Sequence, residues 1–198
     1  MLILGLTGSV AMGKSTTAAM FAAAGLPVFD ADRAVHRLYR GAAVPVVEAA
    51  FPGTTVDGAV DRDRLREKVL GNEAAMERLE ALIHPLVRAE RDAFLAAARA
   101  AGHRAVVLDI PLLFETGAED DMDAVMVVTT SPENQMARMM RREGMTRDRA
   151  EAMIARQTPD AEKRRRAHFL VDTSQSLDDA RLQVAGILRA IAGMTGRR

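Results

Sequence analysis

The feature that most constrains the fold is the segment GSVAMGKS, Gly8 to Ser15, which matches the pattern G-x-x-x-x-G-K-[ST]. Average residue frequencies give such a match a chance of under about one per cent in a chain of this length. The segment follows an apolar run and opens a helical pattern, as a phosphate-binding loop requires. Backbone N–H groups and the positive end of the helix bind phosphate oxygens in such loops. The motif predicts a nucleoside triphosphate site.

Two positions suit a magnesium ion that accompanies the triphosphate. Ser15 can bind Mg²⁺ through its hydroxyl, while Lys14 reaches the β- and γ-phosphates. Asp109 ends the apolar run AVVLD, and we expect it to hold the metal through water; a plain strand end or helix cap is its alternative reading. The expected nucleotide is ATP with Mg²⁺, and the residues expected to bind it in this loop are Gly8, Ala11, Met12, Gly13, Lys14, Ser15 and Thr16.

Short apolar runs alternate with longer helical patterns along the whole chain. This alternation predicts an α/β fold, with a five-stranded parallel sheet flanked by helices. The predicted strands are Leu2–Leu6, Leu26–Asp30, Ala105–Ile110, Ala124–Thr129 and His168–Asp172. Ser131 and Pro132 begin a predicted helix over Glu133–Glu143, which Gly144 ends, and a last helix covers Leu177–Ala192.

Two segments exceed what a minimal sheet needs. Residues 41 to 101 have the pattern of about three helices without a strand, which indicates a helical insertion. Residues 138 to 166 are rich in Arg and helical in spacing, which favours a lid between the fourth and fifth strands. We expect residues 1 to 198 to form one domain that carries both additions.

Composition argues against several classes of partner. The formal net charge is zero and only 4% of residues are aromatic, so we expect no nucleic acid partner. The chain has no Cys, no leader pattern and no apolar run long enough to span a membrane. We expect a cytoplasmic protein without membrane contact that binds small molecules, most simply as a monomer.

The type of phosphate acceptor is indicated by the segment FDADRAVH, Phe29 to His36. No Asn-Lys-x-Asp or Ser-Gly-Gly segment is present, which argues against a guanine-nucleotide switch and a transport ATPase. Asp30 and Asp32 follow a predicted strand, so one can anchor the loop while the other faces a ligand. A carboxylate suits a hydroxyl acceptor as base, whereas it would repel a phosphate acceptor. The alternative is a simple helix cap.

The residues leave several functions open. A small kinase for an alcohol is favoured, and shikimate, gluconate or a nucleoside are other acceptors of that class. A nucleotide-dependent binding or regulatory protein with slow hydrolysis is the alternative from a different class. Arg138 and Arg142 lie four apart, so we expect them on one helix face, where they could contact phosphoryl oxygens or simply be solvated.

The chain resembles the dephospho-coenzyme A kinase family, whose fold is that of the P-loop kinases. The resemblance rests on GLTGSVAMGKST, FDADRAVH, IHPLV, DIPLLFE and the lid run that ends at Gln157. It implies that ATP phosphorylates the 3′-hydroxyl of the ribose of dephospho-coenzyme A, with residues 41 to 101 as the acceptor domain. It further implies Asp32 as catalytic base, His84 and Glu115 as acceptor contacts, and Arg138 and Arg142 as lid arginines over the phosphates.

The chain departs from this family in its phosphate loop. Ser9 and Ala11 stand where the family usually has Gly. Ala11 matters if its backbone needs a positive φ, which glycine adopts without steric cost. After the last predicted strand the family tends to have Asn, whereas this chain has VDTS.

Overall fold

The computed structural model describes residues 1–194 of the 198-residue chain. The strands are β1 (Leu2–Thr7), β2 (Val28–Asp30), β3 (Thr55–Val56), β4 (Ala59–Val60), β5 (Ala105–Asp109), β6 (Ala124–Thr129) and β7 (Phe169–Asp172). The helices are α1 (Lys14–Ala23), α2 (Ala31–Leu38), α3 (Ala43–Ala50), α4 (Arg62–Val69), α5 (Glu73–Ala100), α6 (Pro132–Met140), α7 (Arg147–Ala155), α8 (Asp160–Arg166) and α9 (Leu177–Ile191). Within the described part of the chain, no helix is long and apolar enough to span a membrane.

The chain divides into two compact units. The first consists of Met1–Phe29 and the chain from Ala98 onward, and it contains the phosphate loop. The second is Asp30–Ala97, which holds most of the predicted insertion and also α2. Each unit has a hydrophobic core of its own.

The first unit is built on the predicted five-stranded parallel sheet, in the order β2-β5-β1-β6-β7. All five predicted strands are confirmed, with ends that differ by at most two residues. β1 pairs in parallel with both β5 and β6, and every residue of β6 is buried. Strands buried on both faces read as continuous apolar runs, which is why the sequence revealed them. Phe21 of α1 and Val184 of α9 pack into this core.

The second unit contains a β-hairpin, so the expectation of helices alone was wrong. β3 and β4 pair in antiparallel register, with Thr55 opposite Val60. Asp57 and Gly58 between them have φ of 49° and 76°. An Asp-Gly pair with both φ values positive is typical of a two-residue hairpin turn. The signal was therefore present in the sequence.

The helix that begins after Ser131 is shorter than predicted. The Ser131 side chain accepts a hydrogen bond from the backbone N–H of Asn134, and Pro132 is the first helical residue, as expected. The helix α6 ends at Met140 rather than at Glu143. The backbone N–H of Arg142 donates to the Met139 carbonyl, so the chain leaves the helix through a tighter turn before Gly144. Arg142 thus lies beyond α6, and the prediction that it shares a helix face with Arg138 is wrong.

Candidate active site

The phosphate loop joins β1 to α1 and depends on two of its glycines. A side-chain carbon on Gly8 would lie 2.7 Å from the carbonyl oxygen of Val128 in β6, which leaves no room for one. Gly13 precedes α1 with φ of 95°, a left-handed conformation that glycine adopts at no steric cost. Ser15 and Thr16 are exposed in the first turn of α1. The first turn of this helix therefore presents free backbone N–H groups to a ligand.

Ala11 adopts a left-handed backbone conformation, with φ of 62°. The family that the sequence resembles usually has glycine at this position. The alanine of this chain therefore adopts a positive φ, a conformation that favours glycine. A left-handed conformation costs an L-residue roughly 1–2 kcal/mol because Cβ approaches the following carbonyl oxygen. The phosphate loop of this chain therefore stores strain that a glycine there would not.

Side chains from distant segments hold the backbone of the loop. The Val10 N–H donates to Oε1 of Gln157 at 2.9 Å, and the Val10 carbonyl accepts from Nε2 of Gln135 at 2.9 Å. Thr173 donates from Oγ1 to the Met12 carbonyl at 2.8 Å. The backbone N–H and the carbonyl of Val10 are thus each hydrogen-bonded to a glutamine side chain. Sequence reasoning missed Gln135 and Thr173, and it noted Gln157 only as the end of a motif.

Lys14 and Asp109 form an ion pair through Nζ and Oδ1. Asp109 is the last residue of β5, which neighbours β1, so the parallel register brings the two side chains to the same end of the sheet. The Asp109 side chain is only 3% exposed, whereas the side chain of Lys14 is 15% exposed. A buried carboxylate beside the phosphate loop and the exposed Ser15 hydroxyl are oxygen ligands of the kind that Mg²⁺ prefers. The residues present fit a magnesium ion that is shared with phosphate oxygens.

Arg138 is half-buried and hydrogen-bonded to the phosphate loop and to the segment that follows β7. Its guanidinium donates to the Thr173 carbonyl at 2.6 Å, to Thr173 Oγ1 at 2.9 Å and to the Ala11 carbonyl at 3.4 Å. A cavity of about 290 Å³ lies beside the phosphate loop and is lined by Gly13, Thr16, Thr17, Met20, Arg138, Thr173, Gln175, Ser176, Leu177 and Ala180. Arg142 is exposed beyond the end of α6. The structure therefore joins Arg138, but not Arg142, to the phosphate loop.

Glu115 follows β5 in the first unit and is held by the segment that contains α8. Its Oε1 lies 2.9 Å from the fully buried Nζ of Lys163 and accepts the backbone N–H of Thr158 at 2.8 Å. Burial alone would raise the pKa of Glu115, but the Lys163 ammonium and the Thr158 N–H outweigh it and lower the pKa below its ordinary value. Arg166 of α8 also pairs with Glu119 and lies over the ring of Phe114 at 4.4 Å. α8 is therefore fixed to the loop after β5.

In the second unit, Asp30 at the end of β2 and Asp32 in the first turn of α2 have different environments. Asp30 accepts a hydrogen bond from the backbone N–H of Arg33 at 2.9 Å and so caps α2. Asp32 is exposed and lines a cavity of about 560 Å³. Its other lining residues are Val35, His36, Tyr39, Arg62, Leu65, Arg66, Val69, Met76 and Leu79. The expected cap is thus formed by Asp30, and Asp32 is the aspartate of the pair that is open to a ligand.

His84 does not line this cavity. It is exposed on α5, next to Pro85 within the helix. The cavity instead contains Arg62 and Arg66, which sequence reasoning did not select although they stand four apart in a helical pattern. Burial raises the pKa of the Tyr39 phenol there, and the nearby positive charge of Arg62 opposes that rise. The phenol is thus an uncharged group in the wall of a positively charged cavity.

Comparisons with known proteins agree with one another. The family model described as dephospho-CoA kinase matches residues 2–179. A curated dephospho-CoA kinase of Rhodopseudomonas palustris (strain HaA2) is 59% identical over 198 residues, which are all of both chains. Among solved structures, TT1252 from Thermus thermophilus has a TM-score of 0.85 at 33% identity and covers 97% of this chain and 98% of its own. A dephospho-CoA kinase from Campylobacter jejuni has a TM-score of 0.66 at 25% identity and covers 96% of each chain.

Proposed function

The chain belongs to the dephospho-CoA kinase family, and from this premise we propose that it transfers the γ-phosphate of ATP to the 3′-hydroxyl of the ribose of dephospho-CoA. This reaction is the last step of coenzyme A biosynthesis. The observation that carries the proposal is the phosphate loop with Lys14 paired to Asp109, in a chain whose whole length matches the family.

The phosphates of ATP bind to the phosphate loop in this proposal. The N–H groups of the first turn of α1 contact their oxygens, and Lys14 exchanges Asp109 for the β- and γ-phosphates. Hydrogen bonds from Gln135, Gln157 and Thr173 hold the loop backbone in place before the nucleotide binds. The loop therefore loses little conformational entropy on binding. The cavity beside Arg138 takes the nucleoside end of ATP because it adjoins the loop at Gly13 and Thr16.

Ser15 and Asp109 hold Mg²⁺ in this proposal, the first directly and the second through water. When bound there, the ion would neutralise charge that develops on the phosphates during transfer. Asp109 suits this role because its buried carboxylate can keep a water ligand oriented.

Asp32 acts on the acceptor. Its carboxylate accepts a hydrogen bond from the 3′-hydroxyl and takes up the proton as that oxygen bonds to the γ-phosphorus, while the bond from the γ-phosphorus to the bridging oxygen breaks and ADP leaves. Its exposure and its position in the cavity wall support this role, since a substrate can reach it. Asp30 contributes indirectly, because its cap on Arg33 fixes the start of the helix that carries Asp32.

Four further assignments stay predictions. Arg142 would reach the transferred phosphoryl group from the lid of residues 138 to 166, and Arg138 would support it. His84 and Glu115 would contact the acceptor, although the bonds of Glu115 to Lys163 and Thr158 already give it a structural role. The acceptor domain at residues 41 to 101, the cytoplasmic location and the monomeric state likewise stay predictions from the sequence.

The experiment that tests the function is ADP release with Mg²⁺ and ATP, with and without dephospho-CoA. The expected result is strong stimulation and a product that carries a 3′-phosphate. Shikimate, gluconate and nucleosides serve as alternative acceptors in the same assay. If stimulation occurs only with one of these, the acceptor is wrong; if no alcohol stimulates release, the chain is a nucleotide-dependent binding protein.

A further inference from the structure

The cavity in the second unit combines a cluster of basic side chains with an apolar wall. His36, Arg62 and Arg66 supply the basic groups, and Leu65, Val69, Met76 and Leu79 line the same space. A volume of about 560 Å³ lies within the usual range for cavities that bind small molecules. Asp32, the proposed base, is another lining residue. A ligand in this cavity is therefore within reach of both the basic cluster and the base.

Arg62 is hydrogen-bonded to another residue that lines the cavity. Its NH1 group donates to Nε2 of His36 at 2.9 Å, which leaves other N–H groups of the guanidinium to bind a ligand. An arginine can only donate, so His36 accepts through the unprotonated nitrogen. This bond restricts a long side chain before the ligand binds, which lowers the entropy that binding would otherwise cost.

Arg66 stands one helical turn after Arg62 on α4, so both side chains extend from the same helix face. Its side chain is 65% exposed, and Asp63 lies 3.4 Å away with 88% exposure. An exposed ion pair of this kind has a small interaction free energy. Asp63 therefore competes only weakly with an anionic ligand for the Arg66 guanidinium. Two guanidinium groups at this spacing can bind neighbouring phosphoryl groups through paired hydrogen bonds.

On the basis of the proposed function, we propose that Arg62 and Arg66 bind the diphosphate of dephospho-CoA and that His36 is a positioning residue for Arg62. Dephospho-CoA consists of adenosine joined through a diphosphate to pantetheine, whereas shikimate, gluconate and nucleosides have no such group. The apolar wall contacts uncharged parts of the acceptor, and the diphosphate anchors it so that its ribose faces Asp32. The two arginines thus determine which alcohol is phosphorylated.

The test compares single substitutions on α4. Arg62→Ala and Arg66→Ala should each raise KM for dephospho-CoA by about 10- to 100-fold, the amount expected for a lost hydrogen bond to a charged group. KM for ATP and kcat at saturating acceptor should change little. Arg64→Ala is the matched control, because Arg64 lies on the same helix, pairs with Asp61 and does not line the cavity. Arg66→Lys should recover part of the loss because it keeps the charge without the paired geometry.

His36→Ala tests the positioning role. It should raise KM for dephospho-CoA less than Arg62→Ala does, and it should add nothing to KM in the Arg62→Ala background. An equal further loss in that background would mean that His36 acts independently of Arg62. Unchanged KM values in both arginine variants, or an equal rise with Arg64→Ala, would overturn the diphosphate site. A wild type that leaves dephospho-CoA unphosphorylated would instead refute the proposed function itself.

Discussion

The ammonium group of Lys14 contacts the carboxylate of Asp109, two residues that are 95 positions apart in the chain. The pair joins the phosphate loop to the end of the neighbouring strand β5 and compensates a carboxylate that is almost wholly buried. Because a buried charge without compensation is costly, the ion pair stabilises the buried carboxylate in the fold. The pair thus fixes the position of the Lys14 ammonium group, the cation that we propose binds phosphate.

Lys14→Ala should lower kcat/KM for phosphoryl transfer by at least about 100-fold, since it removes the charge that stabilises the transferred phosphate. ADP release with Mg²⁺, ATP and dephospho-CoA measures this loss. Lys68→Ala is the matched control, because Lys68 is an exposed lysine on α4 and lines neither cavity described above. Activity within a few fold of the wild type in the Lys14 variant would contradict the predicted role of the loop.

Asp32→Asn should leave ATP affinity unchanged while lowering kcat by about 100- to 10,000-fold, because the amide cannot accept the hydroxyl proton. Equilibrium binding of ATP and steady-state kinetics with dephospho-CoA separate the two effects. Asp92→Asn on α5 is a suitable control, since this aspartate is exposed and pairs with its chain neighbour Arg91. If kcat is the same in both variants, Asp32 is not the base.

Glu115→Gln should lower the free energy of unfolding by about 3 kcal/mol, because the charge of Lys163 stays buried without its partner. Denaturant unfolding at neutral pH measures this loss. Asp178→Asn, which breaks an exposed pair with Arg181, should change the same quantity by less than about 0.5 kcal/mol.

The cost of Glu115→Gln should also depend on pH. The folded-state pKa of Glu115 lies below its unfolded value, so ionised Glu115 stabilises the fold above the ordinary carboxyl pKa. This contribution disappears as the pH falls through the folded-state pKa. The difference in unfolding free energy between wild type and variant should therefore narrow in acid. If the difference in unfolding free energy between wild type and Glu115→Gln does not change as the pH is lowered, Glu115 is not ionised in the folded protein.

Ala11→Gly should raise the free energy of unfolding by about 0.5–1 kcal/mol, because relief of the left-handed strain exceeds the added chain entropy. Asp57→Gly is the comparison, since Asp57 also has positive φ but aspartate tolerates that conformation better. Thermal unfolding of both variants gives the values. A larger gain at Asp57 than at Ala11 would argue against strain in the phosphate loop.

Within the predicted lid, residues 141 to 157 should become more protected from hydrogen exchange when ATP and dephospho-CoA bind together. α8 should be protected with or without ligands, because Lys163 and Arg166 already fix it to the loop after β5. Amides of α9 provide the internal control. Equal protection of residues 141 to 157 in both states would mean that this segment does not close over the phosphates.

The sequence alone determined the features that depend on local pattern. Buried parallel strands must be apolar on both faces, so β1, β5 and β6 were visible as continuous runs. The phosphate loop was visible because its backbone needs particular residues at a fixed spacing. The caps of α2 and α6 followed from Asp30 and Ser131 for the same reason. The hairpin had a local signal too, the adjacent Asp57 and Gly58.

Only the tertiary structure decided which distant residues meet. Gln135 and Gln157 bind the Val10 peptide across 125 and 147 positions, and no periodicity of the chain encodes such a meeting. The sequence also does not predict that Glu115 meets Lys163 or that Arg62 meets His36. Residues of these types are common on solvated surfaces, so their identity alone does not indicate a partner. Local geometry fixes strands, turns and caps, because their atoms are close along the chain. Side-chain partners depend on the packing of whole elements, which is why the site took its form only in the folded protein.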